Sequence, residues 1–538
     1  MLKYFSFLVV ISLTGFLSCL PSHDPGEDHE SGYYKETHRP QFHFSPDSMW
    51  MNDPNGMVYY DGEYHLFYQF YPDSNVWGPM HWGHTVSTDL VHWTHLPIAL
   101  YPDSLGYIFS GSAVMDWENT SGLGKPGVPA MVAIFTHHDT TGEFSGASDY
   151  QCQSIAYSLD SGRTWTKYAG NPVISNPGIR DFRDPKVFWY EPSEHWVMIL
   201  AVADRVQLYT SSDLIVWELA SEFGAELGAT PHGGVWECPD LFELTVEGEK
   251  ETRWVMLVSL GSGGPNGGSA TQYFVGSFDG ERFVMDDDFE KQIENVEATW
   301  IDFGKDNYAG VTWSDLPPDD GRRIFIGWMS NWQYAREVPT ERWRSAMTLP
   351  RSLHLANVDG EYFLKSQPVT ELQALRQREI ALKTGPLLSG PYLLEAAQVE
   401  LKLSFAWKER ATPFGIRFFN TQGDELVLSY DPTKGELLVD RRKSGLTDFN
   451  PEFSSQVHSA PYLFPRGGRQ DWHLFLDESS VEWFIDDGKR ALTELYFASS
   501  PYTHFDFFSE KGGVELTHGE AWHLSRTWPE EMPYGTKR

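Results

Sequence analysis

The chain has 538 residues, enough for two domains with sizeable hydrophobic cores. Aromatic residues make up 15% of it, including 21 Trp, and this composition favours an all-β protein whose rings contact a sugar. The formal net charge of -34 argues against nucleic acid or an anionic membrane surface as the main partner. It fits an exported protein that acts on a neutral substrate.

The first 19 residues are a targeting signal rather than part of the fold. Lys3 is the only charged residue there, an apolar stretch follows, and a small residue precedes Cys19. This pattern resembles a bacterial lipoprotein signal with Cys19 lipidated after cleavage; the alternative is an ordinary signal peptide cleaved nearby. The apolar span is too short for a comfortable transmembrane helix. Residues 20–36 are polar and acidic and are interpreted as a flexible tether.

The stretch Trp50 to Gly56 places one acid, Asp53, between an amide and a proline at the start of an apolar, strand-like run. Proline keeps the preceding residue extended, and Asn55-Gly56 supplies turn or bulge chemistry that fixes where the carboxylate points. Such a carboxylate is a candidate nucleophile. Taken alone, the segment fits a plain Asx turn equally well.

Three kinds of segment repeat through the first two thirds of the chain. Ser/Asp turns followed by an aromatic residue occur at 85–93, 155–165, 209–217 and 274–283, and each predicts a β-hairpin. Apolar strands precede them at 64–70, 131–136, 196–202 and 254–260, with a fifth at 324–329. Segments that open with small or acidic residues come earlier still, at 52, 109, 183, 237 and 302. The period of roughly 50 to 70 residues indicates a radial array.

Five units of about four strands predict a five-bladed β-propeller over residues 37–360; the alternative is a generic antiparallel sandwich. In a propeller the first strand of each blade lines the central channel. The residues that open those strands therefore converge at one end of the axis. On this interpretation Asp53, Asp184 and Glu237 meet in one pocket.

The last third of the chain has a different pattern. Residues 361–385 are predicted to be a linker with a short helical stretch, and residues 386–538 a β-sandwich of short alternating strands with regular turns. No cluster of acids and bases occurs there, so we expect a structural role. Beyond Cys19 only Cys152 and Cys238 remain, so disulfides are not expected to hold the chain together.

Three carboxylates amid Trp and Tyr suit cleavage of a glycosidic bond. One attacks the anomeric carbon, one protonates the leaving oxygen, and a third holds sugar hydroxyls. Glu237, flanked by Trp236 and Pro239 and facing two aspartates, has an environment that favours its protonated form. Asp53 is expected to remain ionised, and Arg183 is expected to keep its neighbour Asp184 charged.

At this point the motifs resemble a known family. WMNDPNG at 50–56, FSGS at 109–112, FRDPKV at 182–187 and WECPDLF at 236–242 are similar to glycoside hydrolase family 32, the family of invertases, inulinases, levanases and fructan exohydrolases. Further matches are FYQF at 67–70, MHWGH at 80–84, DFGKDNYA at 302–309 and GWMSNWQYA at 327–335. The resemblance runs from about Pro40 to the C-terminus, and SVEWFIDDG at 480–488 matches the family's sandwich module.

The resemblance implies a retaining mechanism with Asp53 as nucleophile, Glu237 as acid/base and Asp184 as transition-state stabiliser. It also implies a fructose-binding set that consists of Asn52, Gln69, Trp77, Ser112, Arg183, Trp82, Asp302 and Trp332. Tyr71 departs from the pattern, because the family usually has Asn there, and this departure puts the leaving-group side of the pocket in doubt. The GWMSNWQYA segment looks more like levanases and exo-inulinases than invertases, which favours polymeric or oligomeric fructan over sucrose.

The leading hypothesis is an exo-acting fructan β-fructosidase that releases fructose. Three alternatives stay open: an endo-levanase with a cleft open on both sides, a non-catalytic fructan-binding lipoprotein, and fructosyl transfer through the same covalent intermediate. No cofactor and no metal are expected, since His137-His138-Asp139 is better explained as a solvated loop than as a metal site. We expect an exported protein, lipid-anchored at the bacterial cell envelope or surface, or else periplasmic or secreted. The sequence carries no indication of oligomeric state.

Overall fold

A computed structural model describes residues 33–227, 234–296, 298–387, 390–407, 412–463, 468–509 and 512–530. The predicted targeting signal, with Cys19, lies outside the described residues, as does most of the predicted tether. Across the described ranges, no helix has both the length and the apolar character needed to cross a membrane. Strands dominate this part of the chain.

Two four-stranded antiparallel units come first, and each runs from an inner strand to an outer one. The first unit contains β1 (Met49–Tyr60), β2 (Glu63–Tyr71), β3 (His81–Ser87) and β4 (Thr94–Leu100). The second contains β5 (Tyr107–Asp116), β6 (Ala130–His138), β7 (Gln151–Ser158) and β8 (Thr166–Lys167), with helix α1 (Thr140–Ser145) between β6 and β7.

The next two units repeat this arrangement. The third contains β9 (Phe182–Tyr190), β10 (His195–Val202), β11 (Arg205–Ser211) and β12 (Glu218–Phe223), with 3-10 turns at Glu191–Ser193 and Ala225–Leu227. The fourth contains β13 (Trp236–Thr245), β14 (Thr252–Leu260), β15 (Ala270–Phe278) and β16 (Phe283–Met285), followed by helix α2 (Asp287–Val296).

The fifth unit is longer and closes the ring. Its elements are β17 (Tyr308–Thr312), β18 (Arg323–Met329), β19 (Trp343–Arg344), β20 (Ala346–Met347), β21 (Arg351–Val358) and β22 (Glu361–Pro368). β19 leaves this sheet and pairs in parallel with β1, Met49 opposite Trp343. The hairpin of β21 and β22 completes the fifth blade, so the propeller extends past the predicted boundary at residue 360.

These five sheets confirm the predicted five-bladed β-propeller. The Ser/Asp turns lie where expected, between the third and fourth strands of the first four blades. In three of them a Ser hydroxyl donates to the Asp two residues later, as Ser87 does to Asp89. The side chain thereby builds the turn locally.

The inner strands β1, β5, β9, β13 and β17 contact one another in sequence around the channel, and β17 returns to β1. Each carries a β-bulge near its beginning, after Met51, Ile108, Arg183, Glu237 and Tyr308 respectively. A bulge bends the strand and redirects its side chains. The five bulges therefore aim side chains from five blades at one end of the channel.

Residues after the propeller form two packed antiparallel sheets, which confirms the predicted β-sandwich. A 3-10 helix (Thr370–Leu375) joins it to the propeller. One sheet contains β23 (Arg376–Glu379), β24 (Gly385–Pro386), β26 (Val399–Trp407), β31 (Arg469–Leu476), β32 (Ser480–Ile485), β33 (Arg490–Leu495) and β35 (Val514–Leu524). The other contains β25 (Tyr392–Leu393), β27 (Phe414–Phe419), β28 (Glu425–Asp431), β29 (Glu436–Lys443), β30 (His458–Pro461) and β34 (His504–Ser509).

The N-terminal segment is packed against both domains. Tyr34, within the predicted tether, is buried, and its ring stacks on Trp528 at 3.9 Å. Arg39 is enclosed between the rings of Tyr34 and Trp343. The predicted tether therefore ends before Tyr34, because aromatic packing fixes this residue to the end of the sandwich.

The contact between propeller and sandwich contains buried ion pairs. Arg351, fully buried at the start of β21, pairs with Asp302 and with Glu482 of β32. Arg441 of β29 similarly pairs with Asp306 and Glu494. These contacts bind the two domains through charged groups that solvent does not reach.

Candidate active site

A cavity of about 390 Å³ opens at the end of the channel where the five bulges lie. Eight of the residues predicted for the site line it: Asn52, Asp53, Gln69, Trp77, Arg183, Asp184, Glu237 and Trp332. The size lies at the lower end of the range of small-molecule pockets. The predicted convergence of the three carboxylates is therefore present.

The bulge residues themselves form the floor of the pocket. Asp53 Oδ1 accepts a hydrogen bond from Asn52 Nδ2 (3.0 Å), and Asp53 Oδ2 accepts one from the Ser110 hydroxyl (2.8 Å). The Cys238 thiol lies 3.6 Å from both Asp53 Oδ2 and Asp184 Oδ2. Asp184 also accepts from the Cys238 backbone N–H at 3.0 Å. Residues from four blades thus form one connected row.

The residues just before three of the bulges form a second row. Arg183 donates to Glu237 Oε1 through Nε (3.1 Å) and Nη2 (2.9 Å), and to Asp181 through Nη1 (2.7 Å). Tyr308 donates its hydroxyl to Glu237 Oε2. Glu237 is therefore held at both oxygens, and its carboxyl group has a fixed orientation.

Backbone geometry supports this placement. Asp184 and Cys238 have φ of 66° and 44°, in the left-handed region that side chains with a Cβ rarely adopt. Both are bulge residues, and Cys238 contacts Asp184 Oδ2 through its backbone N–H and its thiol. Strained backbone of this kind is concentrated at functional sites, where the surrounding structure holds it.

Burial dominates the electrostatics of the floor. It raises the pKa of Asp53, with the negative charge of Glu237 adding to the shift and the hydrogen bonds from Asn52 and Ser110 opposing it. Burial also raises the pKa of Asp184 to about 7; the positive charge of Arg183 opposes this shift, and the charges of Glu237 and Asp53 reinforce it. Near neutral pH the carboxylates therefore retain a proton among them.

The expectation that Arg183 keeps Asp184 charged is wrong. The Arg183 guanidinium forms its ion pairs with Glu237 and Asp181, so its charge only partly offsets the burial of Asp184. Adjacency in sequence does not predict an ion pair between Arg183 and Asp184, because the side chains of neighbouring strand residues point to opposite faces. Arg183 instead reaches across to the next blade.

Aromatic rings and a cation form the wall of the pocket. Trp332 stacks on the buried Trp50 with ring centroids 6.0 Å apart, and Arg336 lies over the ring of Trp77 at 5.9 Å. Gln69, nearly fully buried, donates to the Ile108 carbonyl at 3.1 Å. These contacts leave a polar floor below an aromatic rim, an arrangement suited to a sugar ring.

Three predicted binding residues lie outside the pocket lining. Ser112 is buried, and its hydroxyl accepts from the Val187 backbone N–H, which joins two inner strands. Trp82 is buried behind the pocket and donates from Nε1 to the Phe109 carbonyl at 2.9 Å. Asp302 lies at the domain contact with Arg351 and Thr493. None of the three side chains lines the cavity, and each instead bonds to a neighbouring part of the protein.

Two further residues of the site are not among the predicted ones. Ser110 lines the pocket and bonds to Asp53, and Tyr308 bonds to Glu237. They stand in the FSGS and DFGKDNYA motifs, two residues before Ser112 and six residues after Asp302, so those motifs carry the signal. The prediction that His137-His138-Asp139 is a solvated loop is wrong. Both histidines end β6 and are buried, and His138 lines the pocket between Glu143 (3.0 Å) and Gln151 (3.1 Å).

The structure also bears on Tyr71 and on metals. Tyr71 does not line the cavity, and its ring lies directly against Gly78, so that a Cβ there would come within 2.4 Å of it. In the described part of the chain no group of three His, Cys, Asp or Glu side chains is arranged to hold a metal ion. The pocket itself supplies carboxylates, and a pair of carboxylates can provide one group that attacks and one that transfers a proton.

Comparison with known proteins gives a consistent result. Residues 43–368 match the model of the glycosyl hydrolases family 32 N-terminal domain, and residues 371–523 match that of the family 32 C terminal. A levanase of Bacillus subtilis is 47% identical over 526 residues, 97% of this chain and 75% of the relative. An extracellular exo-inulinase of Aspergillus ficuum is 39% identical, covering 92% of this chain and 96% of the relative.

Solved structures show the same similarity. The crystal structure of exo-inulinase from Aspergillus awamori superposes with a TM-score of 0.83 at 36% identity, over 92% of this chain and all of that one. The β-fructofuranosidase from Schwanniomyces occidentalis complexed with fructosyl-erythritol superposes with a TM-score of 0.81 at 32% identity, over 92% and 99% of the two chains.

Proposed function

Because the chain belongs to glycosyl hydrolase family 32, we propose that it hydrolyses the β-fructosidic bonds of fructans, levan or inulin, and releases fructose from the chain end. The observation that carries this proposal is the pair of rows at the channel end. They place Asp53, Asp184 and Glu237 around one cavity, with Arg183 paired to Glu237.

In the first step Asp53 attacks the anomeric carbon of the terminal fructosyl unit while Glu237 gives a proton to the glycosidic oxygen. The bond to the leaving sugar breaks, and a covalent fructosyl-enzyme ester forms. Asn52 and Ser110 orient the Asp53 carboxylate through the two hydrogen bonds that it accepts. Their donation stabilises the ionised nucleophile against the effect of burial.

In the second step Glu237, now ionised, takes a proton from water, and the water oxygen attacks the anomeric carbon to release fructose. Arg183 and Tyr308 hold the Glu237 oxygens and so position this carboxylate for both steps. Asp184 accepts hydrogen bonds from sugar hydroxyls and stabilises the positive charge that develops on the ring.

Attack at the chain end is supported by the form of the cavity. The floor is closed by the row of Asp53, Cys238 and Asp184, and Trp77, Trp332 and Arg336 also line the cavity. A blind pocket of about 390 Å³ receives a terminal sugar rather than the middle of a chain.

The experiment is a parallel digest of levan, inulin and sucrose, with products separated by chromatography over time. Fructose as the product from the first time point is expected. Oligosaccharides appearing first would replace exo attack with endo attack, and glucose in excess of fructose from sucrose would indicate fructosyl transfer. No cleavage of any substrate by the folded protein would reject the proposal in favour of a binding protein.

We further propose that the protein is exported and anchored by lipid on Cys19, which lies outside the described residues. The lipoprotein-like signal and the relatives named as extracellular support export. Mass spectrometry of the mature N-terminus is expected to show a diacylglyceryl group on this cysteine. A Cys19→Ser variant is expected in the soluble fraction. An unmodified mature N-terminus would reject lipid anchoring in favour of an ordinary signal peptide cleaved nearby.

A further inference from the structure

A second and larger cavity, of about 690 Å³, lies at the opposite end of the propeller channel. The inner strands that begin at the candidate active site end here: β5 at Asp116, β9 at Tyr190 and β13 beyond Glu243, and Asp315 follows β17. Glu237 and Glu243 are six residues apart on one strand, which corresponds to roughly 20 Å. The two cavities are therefore separate sites on one axis.

The rim of this cavity is aromatic. Trp117 is 57% exposed, the most exposed tryptophan among the described residues, and its ring lies 5.8 Å from that of Tyr60. On another side Trp254 and Tyr190 have ring centroids 6.0 Å apart. Ligand pockets are commonly lined by aromatic side chains with a few polar groups among them. The position of Trp117 at the mouth of a cavity indicates a ligand rather than the protein core.

Polar groups line the interior and fix the rim. Asp315 accepts hydrogen bonds from the Met115 backbone N–H (2.9 Å) and from Trp117 Nε1 (3.0 Å), so the indole is held in place. Arg323 lies over the ring of Phe242 at 5.1 Å and, among the described residues, forms no ion pair. Burial lowers its pKa, and the charge of Asp240 opposes that shift. Its guanidinium is available to donate hydrogen bonds to a ligand.

We propose that this cavity is a second, non-catalytic binding site for the fructan chain. Flat rings held at the rim, with a carboxylate acceptor and a guanidinium donor inside, match a neutral polyhydroxylated ligand. The acids Glu118, Glu191 and Glu243 around the opening exclude an anionic one. The choice of fructan rests on the proposed function. A polymer that is hydrolysed at one end of the propeller channel is present at high local concentration near the cavity at the other end.

A second site changes the behaviour toward polymers only. Once one segment of a long chain is bound, the next binding event becomes intramolecular, and the overall affinity for the polymer exceeds that of either site. A disaccharide is too short to gain from this effect. The site therefore predicts a lower KM for polymer and no effect on sucrose.

The test uses native affinity electrophoresis in gels that contain levan, inulin or dextran, with the full chain carrying Glu237→Ala so that the gel is not digested. Trp117→Ala in this background is expected to weaken retardation by levan or inulin about tenfold, and Trp117→Phe, which keeps a ring, much less. Tyr101→Ala is the matched control, because Tyr101 is 54% exposed and lines neither cavity. Melting temperatures verify that each variant folds.

In the active enzyme, Trp117→Ala is expected to raise KM for polymer severalfold and to leave kcat/KM for sucrose within about twofold. Equal retardation of the Trp117→Ala and Tyr101→Ala proteins would overturn the second site while leaving fructan hydrolysis intact. Retardation by dextran in place of fructan would overturn the assignment of the ligand. The wild-type protein could also fail to cleave fructan while the gel retardation still depends on Trp117. That result would support the second site and reject the proposed function.

Discussion

Two groups of buried carboxylates in this molecule have opposite electrostatics. At the domain contact the pKa of Asp477, Glu482 and Glu494 is lowered although burial alone would raise it. In the candidate active site the pKa of Asp53 and Asp184 is raised by the same burial. The residue types are alike, and Asp184 is nearly as buried as the acids of the domain contact, so neither property explains why its pKa moves in the opposite direction.

The difference lies in the cations. At the domain contact Arg351, Arg441 and His43 each bond directly to the acids. In the pocket Arg183 pairs with Glu237 and Asp181, whereas among the described residues Asp53 and Asp184 form no ion pair with a cation. A compensated buried charge supports the structure, whereas an undercompensated one keeps a proton available for chemistry. Counting cations around buried acids thus separates a structural cluster from a reactive one.

The largest expected effect comes from removing a reactive carboxylate. Asp53→Ala and Glu237→Ala are each expected to lower kcat on levan by about a thousandfold or more, because each removes the group proposed as nucleophile or as proton donor. Initial rates of fructose release measure this loss. Glu482→Gln, at the domain contact, is the control, expected to keep kcat within about twofold while lowering the melting temperature. Near-normal turnover by either alanine variant would refute its assigned role.

Next in size is the loss of a structural cation. Arg351→Met leaves Asp302 and Glu482 buried without their partner and is expected to lower the free energy of unfolding by about 3 to 5 kcal/mol. Urea denaturation followed by tryptophan fluorescence measures it. Lys291→Met, which breaks an exposed pair with Asp288, serves as the control and is expected to leave the midpoint unchanged. Equal midpoints for the two variants would contradict a structural role for the buried pair.

A smaller effect is expected from pH at the domain contact. Burial would lower the pKa of His43, but its hydrogen bonds to Asp477 and Glu482 raise it to about 9. This stabilisation is complete below about pH 6.5 and is lost as the pH rises through 9, amounting to about 3 kcal/mol. Unfolding free energies of wild type and His43→Gln, measured from pH 6.5 to 9.5, are expected to converge. Parallel profiles would show that His43 is not protonated in the fold.

The smallest expected effect is an increase in the free energy of unfolding, on substitution of Asp184. The folded-state pKa of Asp184, about 7, lies above its ordinary value, so its stabilising protonation is present at pH 4 and is lost as the pH rises through 7. Asp184→Asn is therefore expected to raise the free energy of unfolding by about 1 kcal/mol at pH 8, to make no difference at pH 4, and to reduce activity. Asp302→Asn, facing Arg351, is expected to destabilise at pH 8. The same sign for both variants would remove the distinction between the two clusters.

Much of this could be predicted from the sequence because the blades repeat. Asp53, Asp184 and Glu237 occupy comparable places in three repeats, and a radial array brings such places together whatever the details of packing. The Ser/Asp turns were also predictable, since a Ser hydroxyl and an Asp two residues later build the turn without help from distant residues.

The predictions of site residues that were wrong depend on local strand geometry, which the sequence repeats do not reveal. The bulge in β5 directs Ser110, rather than Ser112, toward Asp53, because one extra residue exchanges the faces of a strand. The repeat pattern predicts that the fifth blade opens at Asp302, but β17 begins at Tyr308, so the pattern points to the acid in place of the tyrosine. Arg183 bonds across a blade boundary, which adjacency in sequence cannot show.

The parallel pairing of β19 with β1 has a consequence for how substrate choice can evolve. The segment between β18 and β19 carries Trp332 and Arg336 to the mouth of the pocket, and its far end then fastens the first blade to the last. Insertions or deletions in this segment would alter substrate specificity and, at the same time, weaken the pairing of β19 with β1 that closes the propeller. Helix α1, which brings Glu143 to the pocket from a connection within the second blade, is the freer place for new specificities to arise.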